Sequence, residues 1–169
     1  MSTVETGLKI RYYGDPGLRK PAKPVVAVTD RDRGIFQEMA EVMRLSGGIG
    51  LAAPQVGISR QFLVIDIGEG LMVLVNPRIM KKSGSKVMEE GCLSLPGVYV
   101  KVRRARKITV DAMNEFNEKI SFSATELMAR AVQHEMDHLR GRVIIDYANF
   151  FEKIRLRKKL KSFLSRKSL

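Results

Sequence analysis

The spacing of apolar residues predicts a helix over residues 31–45, which Gly47 would end. The apolar residues that share one side of this helix are assigned to the core: Ile35, Phe36, Met39, Val42 and Met43. Alternating β-branched residues predict strands over residues 61–67, 71–79, 102–113 and 119–123. The strands cluster instead of alternating with helices, so the pattern indicates an α+β fold of antiparallel or mixed strands packed around one central helix.

That central helix is predicted over residues 124–139. Ser123 and Glu126 form a capping-box pattern at its start, and Gly141 stands where a left-handed residue would end it. Its apolar residues are expected on the same side as the two histidines of the segment: Leu127, Met128, Ala131, Val132 and Leu139. The pattern therefore predicts a buried helix that turns polar groups inward, and buried imidazoles need partners.

The only histidines in the chain, His134 and His138, lie on this helix, one turn apart. Two side chains at that spacing stack about 6 Å apart and can hold one metal ion, with Glu135 beside an ion-bound water as a general base. The pattern is typical of metal hydrolases. A His-Glu-x-x-His run also arises by chance, and surface or capped core histidines are the alternative interpretation.

The third ligand decides which kind of enzyme this is. A long zinc-protease signature would place a histidine at position 144, which is Ile144, and Glu152 lies in a lysine-rich segment where it is a poor ligand. The only cysteine, Cys92, cannot form an internal disulfide and lies between turn-forming residues. A lone cysteine is more often a small buried apolar residue, but an incomplete metal site beside it favours a ligand.

Three segments resemble the motifs of the peptide deformylase family. They are residues 48–57 (GIGLAAPQVG), 90–94 (EGCLS) and 133–141 (QHEMDHLRG). Residues 15–19 and 129–130 also look like the family, so the resemblance covers roughly residues 8–147. Asn117 stands where the family usually has a turn glycine, and asparagine tolerates positive φ. Glu126 replaces another frequent glycine, where we expect it to strengthen the helix cap.

The resemblance implies removal of the formyl group from the N-terminal methionine of newly made proteins, with release of formate. Cys92, His134 and His138 would hold a divalent ion with a position left for water, and Glu135 would carry the proton. By the same resemblance, the Gln55 amide and the Leu93 backbone N–H donate to the formyl oxygen. A thiolate and two imidazoles suit Zn(II), Fe(II), Co(II) or Ni(II), and the family favours Fe(II) in the cell.

The glycines of the first motif have two other interpretations. Gly48 and Gly50 could simply form a loop after a helix, with Gln55 exposed to solvent, and a phosphate loop is disfavoured because no Lys-Ser/Thr pair follows. We instead expect Gly48, Ile49 and Gly50 to let a peptide lie extended along the chain. The residues assigned to an apolar pocket for methionine are Ile49, Met88, Leu93 and Ala131.

Composition is that of one compact enzyme. At 169 residues with 44% hydrophobic content, the chain is long enough for a single core. Residues 1–8 lack a signal-peptide pattern and no 18-residue apolar stretch occurs, so we expect a cytoplasmic protein without a membrane span. We divide it into a catalytic domain over residues 1–147 and a basic amphipathic helix over residues 148–169.

Charge is concentrated in that last segment. The chain has 30 basic and 18 acidic residues, and residues 149–169 contain eight basic residues against Glu152 alone. Its apolar residues recur at helical spacing: Leu156, Leu160, Phe163 and Leu164. The basic face could dock on ribosomal RNA, as in related deformylases with similar tails, or could merely be solvated. A membrane surface is a weaker alternative because the segment lacks tryptophan.

Two further function classes stay open at this point. A non-catalytic ribosome-binding or RNA-binding protein on the same scaffold would predict damage at Cys92, Gln55, Glu135 or the histidines, and the sequence shows none. A zinc peptidase is weakened by the missing third protease ligand.

Overall fold

The computed structural model of the chain describes residues 7–165. Within that range the helices are α1 (Asp30–Leu45), α2 (Glu126–Leu139) and α3 (Phe150–Ser165). The strands are β1 (Gly50–Ala52), β2 (Phe62–Ile65), β3 (Met72–Ser83), β4 (Lys86–Cys92), β5 (Leu95–Arg104), β6 (Lys107–Met113) and β7 (Lys119–Thr125). Short 3-10 turns occupy Pro16–Arg19, Ala53–Val56 and Ile144–Tyr147. The predicted α+β fold is confirmed.

In the described part of the chain, the strands form two sheets. A five-stranded antiparallel sheet has the order β1-β2-β3-β6-β7, and β4 pairs with β5 in a separate hairpin. Helices α1 and α2 cover opposite faces of the larger sheet. Strand β2 is buried on both sides, since Phe62 and Val64 pack in the core beneath α1 while Leu63 and Ile65 pack beneath α2.

The strand predicted over residues 102–113 is wrong, because it consists of two strands in different sheets. Strand β5 belongs to the hairpin and β6 to the larger sheet. The chain changes sheet at Ala105, whose backbone N–H and C=O both bond to the Gln133 side chain, at 3.1 and 3.0 Å. The Gln133 side chain on α2 thus takes the place of the interstrand hydrogen bonds that Ala105 would make within a sheet. The prediction joined the two strands because β-branched residues lie on both sides of the break, at Val102 and from Ile108 onward.

The capping box predicted for α2 is also wrong. Ser123 still pairs with Thr109 in the sheet, and the helix begins at Glu126 after Thr125, whose side chain makes no capping bond. Glu126 adopts φ of +46°, and its carboxylate binds Arg106 instead of the helix end. A positive φ explains why glycine suits this position. The left-handed conformations expected at Asn117 and Gly141 are confirmed, with φ of +65° and +74°.

Helix α1 matches its prediction closely and begins with a capping box. The Thr29 hydroxyl and backbone N–H both contact the Asp32 carboxylate, which also pairs with Arg60. The predicted core residues of α1 are buried except for Ile35, which is half-buried. Asp32 therefore joins the start of α1 to the loop before β2.

We expect Asp32→Asn to lower the free energy of unfolding by about 1–3 kcal/mol, because its charge is buried against Arg60. Burial alone would raise the pKa of Asp32, but hydrogen bonds from Arg60 and Thr29 prevail and lower it. The stabilisation is then present at neutral pH and is lost in acid. The difference in the free energy of unfolding between variant and parent should become smaller as the pH falls below about 4.

Denaturant unfolding at fixed metal concentration measures this effect. Asp30→Asn is the matched control, because Asp30 is exposed and pairs with Arg33 at the same helix end. We expect it to change the free energy of unfolding by less than about 0.5 kcal/mol. Equal effects of the two variants would contradict the role assigned to Asp32.

Helix α3 packs on the hairpin by one side. Phe163 is buried and Leu156 and Leu160 are half-buried against a core that includes Leu95 and Val98. Leu164 is half exposed. The first-turn pair Phe150 and Phe151 is exposed. Arg166 and Lys167 of the predicted helix lie outside the described residues. Among residues 7–165, no helix is long and apolar enough to cross a membrane.

Candidate active site

Two separate parts of the fold bring the three predicted metal ligands together. Cys92 ends β4 at the tip of the hairpin, while His134 and His138 lie on α2. The Cys92 Sγ lies 3.3 Å from His138 Nε2, and the potential ligand atoms of the three residues all lie within 4.8 Å of one another. The imidazole rings are 5.1 Å apart between centroids. This distance agrees with stacking one helical turn apart.

Glu90 fixes the direction of the first histidine. Its carboxylate lies 3.0 Å from His134 Nδ1, which leaves Nε2 as the atom for a ligand. Burial alone would raise the pKa of Glu90, but hydrogen bonds with His134 and Arg104 and the Arg104 charge hold it at about 2. Glu90 is therefore a carboxylate that orients the imidazole at any physiological pH.

A buried ion-pair network surrounds Glu90. Arg104, only 5% exposed, donates to both Glu90 oxygens and to Asp137 on α2. Arg130 adds a bond of 2.6 Å to Glu90, and the Tyr147 hydroxyl donates to Asp137 at 2.7 Å. Every charge in this cluster has an opposite partner, as burial requires.

Sequence reasoning assigned no role to Arg104, although a signal was present. On β5, residues 98, 100 and 102 are buried valines and the intervening residues are exposed. Strand alternation places position 104 on the same inward side, so an arginine there must find buried partners. Glu90 and Asp137 were visible in the motifs but their contact with Arg104 was not.

Glu135 lies beside the two histidines with one oxygen free of protein partners. Its side chain is buried, and among the described residues its Oε2 has no hydrogen-bond partner. Burial raises the pKa of Glu135 to about 7. A Cβ at Gly50 would lie 2.5 Å from Glu135 Oε1, so this glycine is required for the carboxylate to occupy its position.

Gln55 is 1% exposed, so the alternative of a solvated loop residue is wrong. Its Oε1 accepts from the Ala52 N–H at 2.8 Å, which turns Nε2 toward the Ser94 hydroxyl at 3.2 Å and the Cys92 thiol at 3.6 Å. The amide is thus held by backbone on one side and offers a donor to the site on the other. Leu93 directly follows Cys92 in the chain and lies on the turn between β4 and β5.

A cleft of about 640 Å³ opens above these residues. Its lining includes the residues predicted to bind substrate: Gly48, Ile49, Gly50, Met88, Leu93 and Ala131. Leu127, predicted to face the core, instead lies half exposed on the cleft wall, because the side of α2 that it shares with Ala131 and His134 faces the cleft. A Cβ at Gly48 would lie 2.7 Å from Leu93, so the small residues also permit close packing of the two motif loops.

The donor set fits a divalent transition metal. A thiol and two imidazoles converge within 4.8 Å at the base of the cleft, a soft ligand set that suits such ions. Burial lowers the pKa of His138, which favours the neutral imidazole that a metal ligand must be. Burial alone would lower the pKa of His134 too, but hydrogen bonds with Cys92 and Glu90 prevail and raise it, so a bound ion would displace a proton from that ring. The unpartnered Glu135 oxygen lies on the adjoining residue. Within residues 7–165, this cluster is where the chain can hold such an ion.

The chain is similar over most of its length to known proteins. A sequence model of the family described as polypeptide deformylase matches residues 7–153. A peptide deformylase of Halothermothrix orenii is 48% identical over 141 residues, which cover 82% of this chain and 92% of the relative.

Solved structures agree with this similarity. The crystal structure of a peptide deformylase from Legionella pneumophila has a TM-score of 0.88 at 38% identity, covering 95% of this chain and 97% of that chain. The crystal structure of a peptide deformylase from Synechococcus elongatus in complex with actinonin has a TM-score of 0.88 at 40% identity. The match covers 94% of this chain and 89% of that chain.

Proposed function

Because this chain belongs to the polypeptide deformylase family, we propose that Cys92, His134 and His138 hold the metal ion with which it removes formyl groups. As a deformylase, the protein hydrolyses a linear amide at the N-terminal formyl-methionine of nascent polypeptides and releases formate. The observation that supports this site is the convergence of one thiol and two imidazoles at the base of the cleft.

A bound divalent ion would supply Lewis-acid chemistry there, lowering the pKa of a water molecule toward neutrality and polarising the formyl carbonyl. Fe(II) is our choice for the ion in the cell, and Zn(II), Ni(II) or Co(II) also suit the ligands. Metal analysis of anaerobically prepared protein tests this choice. We place the reaction in the cytoplasm, where nascent chains emerge from ribosomes.

Glu135 moves the proton in this proposal. Glu135 lines the cleft, its Oε2 has no hydrogen-bond partner within residues 7–165, and burial raises the pKa of the carboxyl to about 7. A group with that pKa can accept a proton from water and later donate it to the departing amine at neutral pH. Gly50 keeps the carboxylate in this position because any larger residue would overlap it.

Gln55 and Leu93 stabilise the negative charge that develops on the formyl oxygen. The bond from the Ala52 N–H to Gln55 Oε1 orients the amide so that Nε2 points toward the Cys92 side of the site. The Leu93 N–H lies next in the chain to Cys92. One such donor is typically worth about 3 kcal/mol of transition-state stabilisation.

The cleft walls would bind the methionine and the residues after it. Ile49, Met88, Leu93 and Ala131 provide the apolar surface for the methionine side chain. Gly48 and Gly50 leave room for an extended peptide backbone beside them.

Formate release from a short formyl-Met peptide tests this function directly. We expect release to stop when a chelator removes the metal and to return when Fe(II), Co(II) or Ni(II) is added under anaerobic conditions. Formate release that continues after complete metal removal would contradict the proposed site. The non-catalytic alternative is not supported, because the similar proteins are named as deformylases.

We further propose that α3 docks on ribosomal RNA through its outward side. Its exposed basic residues within the described range are Lys153, Arg155, Arg157, Lys158, Lys159 and Lys161. Lys159 bonds to the Gly97 carbonyl, so it helps attach the helix to the hairpin. Lys158 and Lys161 form no such bond within residues 7–165, and their ammonium groups suit phosphate binding.

Replacement of Lys158 and Lys161 together by Gln should weaken ribosome binding and reduce its dependence on salt by about one unit of slope per lysine. Hydrolysis of a short formyl-Met peptide should stay unchanged. The sequence motifs all end before Tyr147, so a chain truncated after Tyr147 should likewise hydrolyse the peptide. The truncation would, however, expose the apolar core that Phe163 covers. Point substitutions are therefore the cleaner test.

The matched control replaces Lys81 and Lys82 by Gln. These exposed lysines lie on β3 and change the net charge by the same amount. Sedimentation with ribosomes at several salt concentrations measures the binding of each variant. Equal binding of the two double variants would mean that α3 is a solvated structural helix.

A further inference from the structure

The ligands of the proposed metal site are divided between two units that no strand pairing joins. Cys92 belongs to the β4–β5 hairpin, which within residues 7–165 pairs only with itself. His134 and His138 belong to α2, which packs on the larger sheet. The distance from the thiol to the imidazoles therefore depends on side chains that connect hairpin and helix.

Arg104 is one of the buried side chains that span these two units. Arg104 lies on β5, and its Nε and Nη2 donate to the two Glu90 oxygens at 3.0 and 2.9 Å. Its Nη1 donates to Asp137 on α2 at 2.5 Å. The Tyr147 ring covers the guanidinium at 4.9 Å. Arg104 thus contacts the carboxylate that orients His134 and a carboxylate of the helix that carries both histidines.

We propose that Arg104 is a positioning residue of the metal centre, which sets Cys92 against the two histidines by joining Glu90 to Asp137. This inference rests on the proposed metal site. The planar guanidinium binds both carboxylates at fixed angles, which a single ammonium cannot do. Arg130 also ties α2 to the hairpin, through Glu90 and the Val102 carbonyl, but it does not reach Asp137.

The test compares Arg104→Lys and Arg104→Met with Arg103→Met. Arg103 is the neighbouring residue on the same strand, but its side chain is exposed. Within residues 7–165 its only side-chain hydrogen bond is to Ser85. Competition with a chelator gives the affinity for Zn(II) and Co(II), without use of activity. We expect both Arg104 variants to bind metal about 10- to 100-fold more weakly, as for other residues that orient ligands, and Arg103→Met to match the parent.

The rise in melting temperature on metal addition separates positioning from stability. A positioning role makes this rise smaller in Arg104→Lys than in the parent. If the metal-free and metal-bound forms both lose the same number of degrees, Arg104 is merely structural and the inference is wrong. If Arg104→Met fails to fold because Glu90 and Asp137 lose their partner, Arg104→Lys, which keeps the positive charge, tests the positioning role by itself.

Cys92→Ser distinguishes failure of this inference from failure of the metal site. If Cys92→Ser binds metal as the parent does, the site itself is wrong. If Cys92→Ser loses the metal while Arg104→Lys keeps the parent affinity, only the positioning role of Arg104 is overturned.

Discussion

Cys92→Ser should lose its metal and, with it, formate release. Within residues 7–165 the proposed site has three protein ligands. A serine hydroxyl replaces the thiolate with a group that stays protonated and binds such ions poorly at neutral pH. Two imidazoles alone retain metal weakly. Metal content after dialysis and formate release from a formyl-Met peptide measure the two losses.

Ser94→Ala controls for disturbance of the turn that carries Cys92. Ser94 is buried two residues away and contacts the Gln55 amide, but it is not a proposed ligand. It should keep full metal content. Full metal occupancy and unchanged turnover in Cys92→Ser would remove Cys92 from the site.

Glu135→Gln should keep the metal but lose about 10²- to 10⁴-fold in kcat, with little change in KM. Glutamine has nearly the same shape, so it fits beside Gly50 where the carboxylate now lies. It cannot accept the proton from water at neutral pH. Steady-state kinetics with metal content measured on the same sample separates proton transfer from metal loss.

Glu69→Gln is the matched control for this change. Glu69 is exposed in the loop between β2 and β3 and does not line the cleft. We expect its kinetics to resemble those of the parent. If Glu135→Gln loses only tenfold or less in kcat, another group transfers the proton and the role assigned to Glu135 is wrong.

Local features of the fold were readable from the sequence because they depend on neighbouring residues only. The α1 prediction differs from the structure by one residue at its start, since apolar spacing and the glycine stop are properties of one helix. The left-handed residues Asn117 and Gly141 follow from backbone sterics in the same way. Glu126 shows the limit, because its neighbours suggested a cap while pairing of Thr125 with Lys107 extends the strand to the helix.

The sequence by itself determined which residues have metal chemistry. His134 and His138 must share a helix face, because an α-helix fixes residues four apart by its own hydrogen bonds. The sequence also placed Glu135 beside these histidines. Cys92 was the remaining soft ligand once the other candidates had been eliminated. Those inferences need no knowledge of the rest of the fold.

Only the tertiary structure decided how these residues meet. The approach of Cys92 to His138, the change of sheet at Ala105 and the burial of Arg104 between Glu90 and Asp137 join segments far apart in the chain. Such contacts depend on how a hairpin docks against a helix, and strand alternation is the same whichever sheet a strand enters. Apolar periodicity specifies that a face is buried, while the identity of the partner it is buried against is set by the packing of the whole domain.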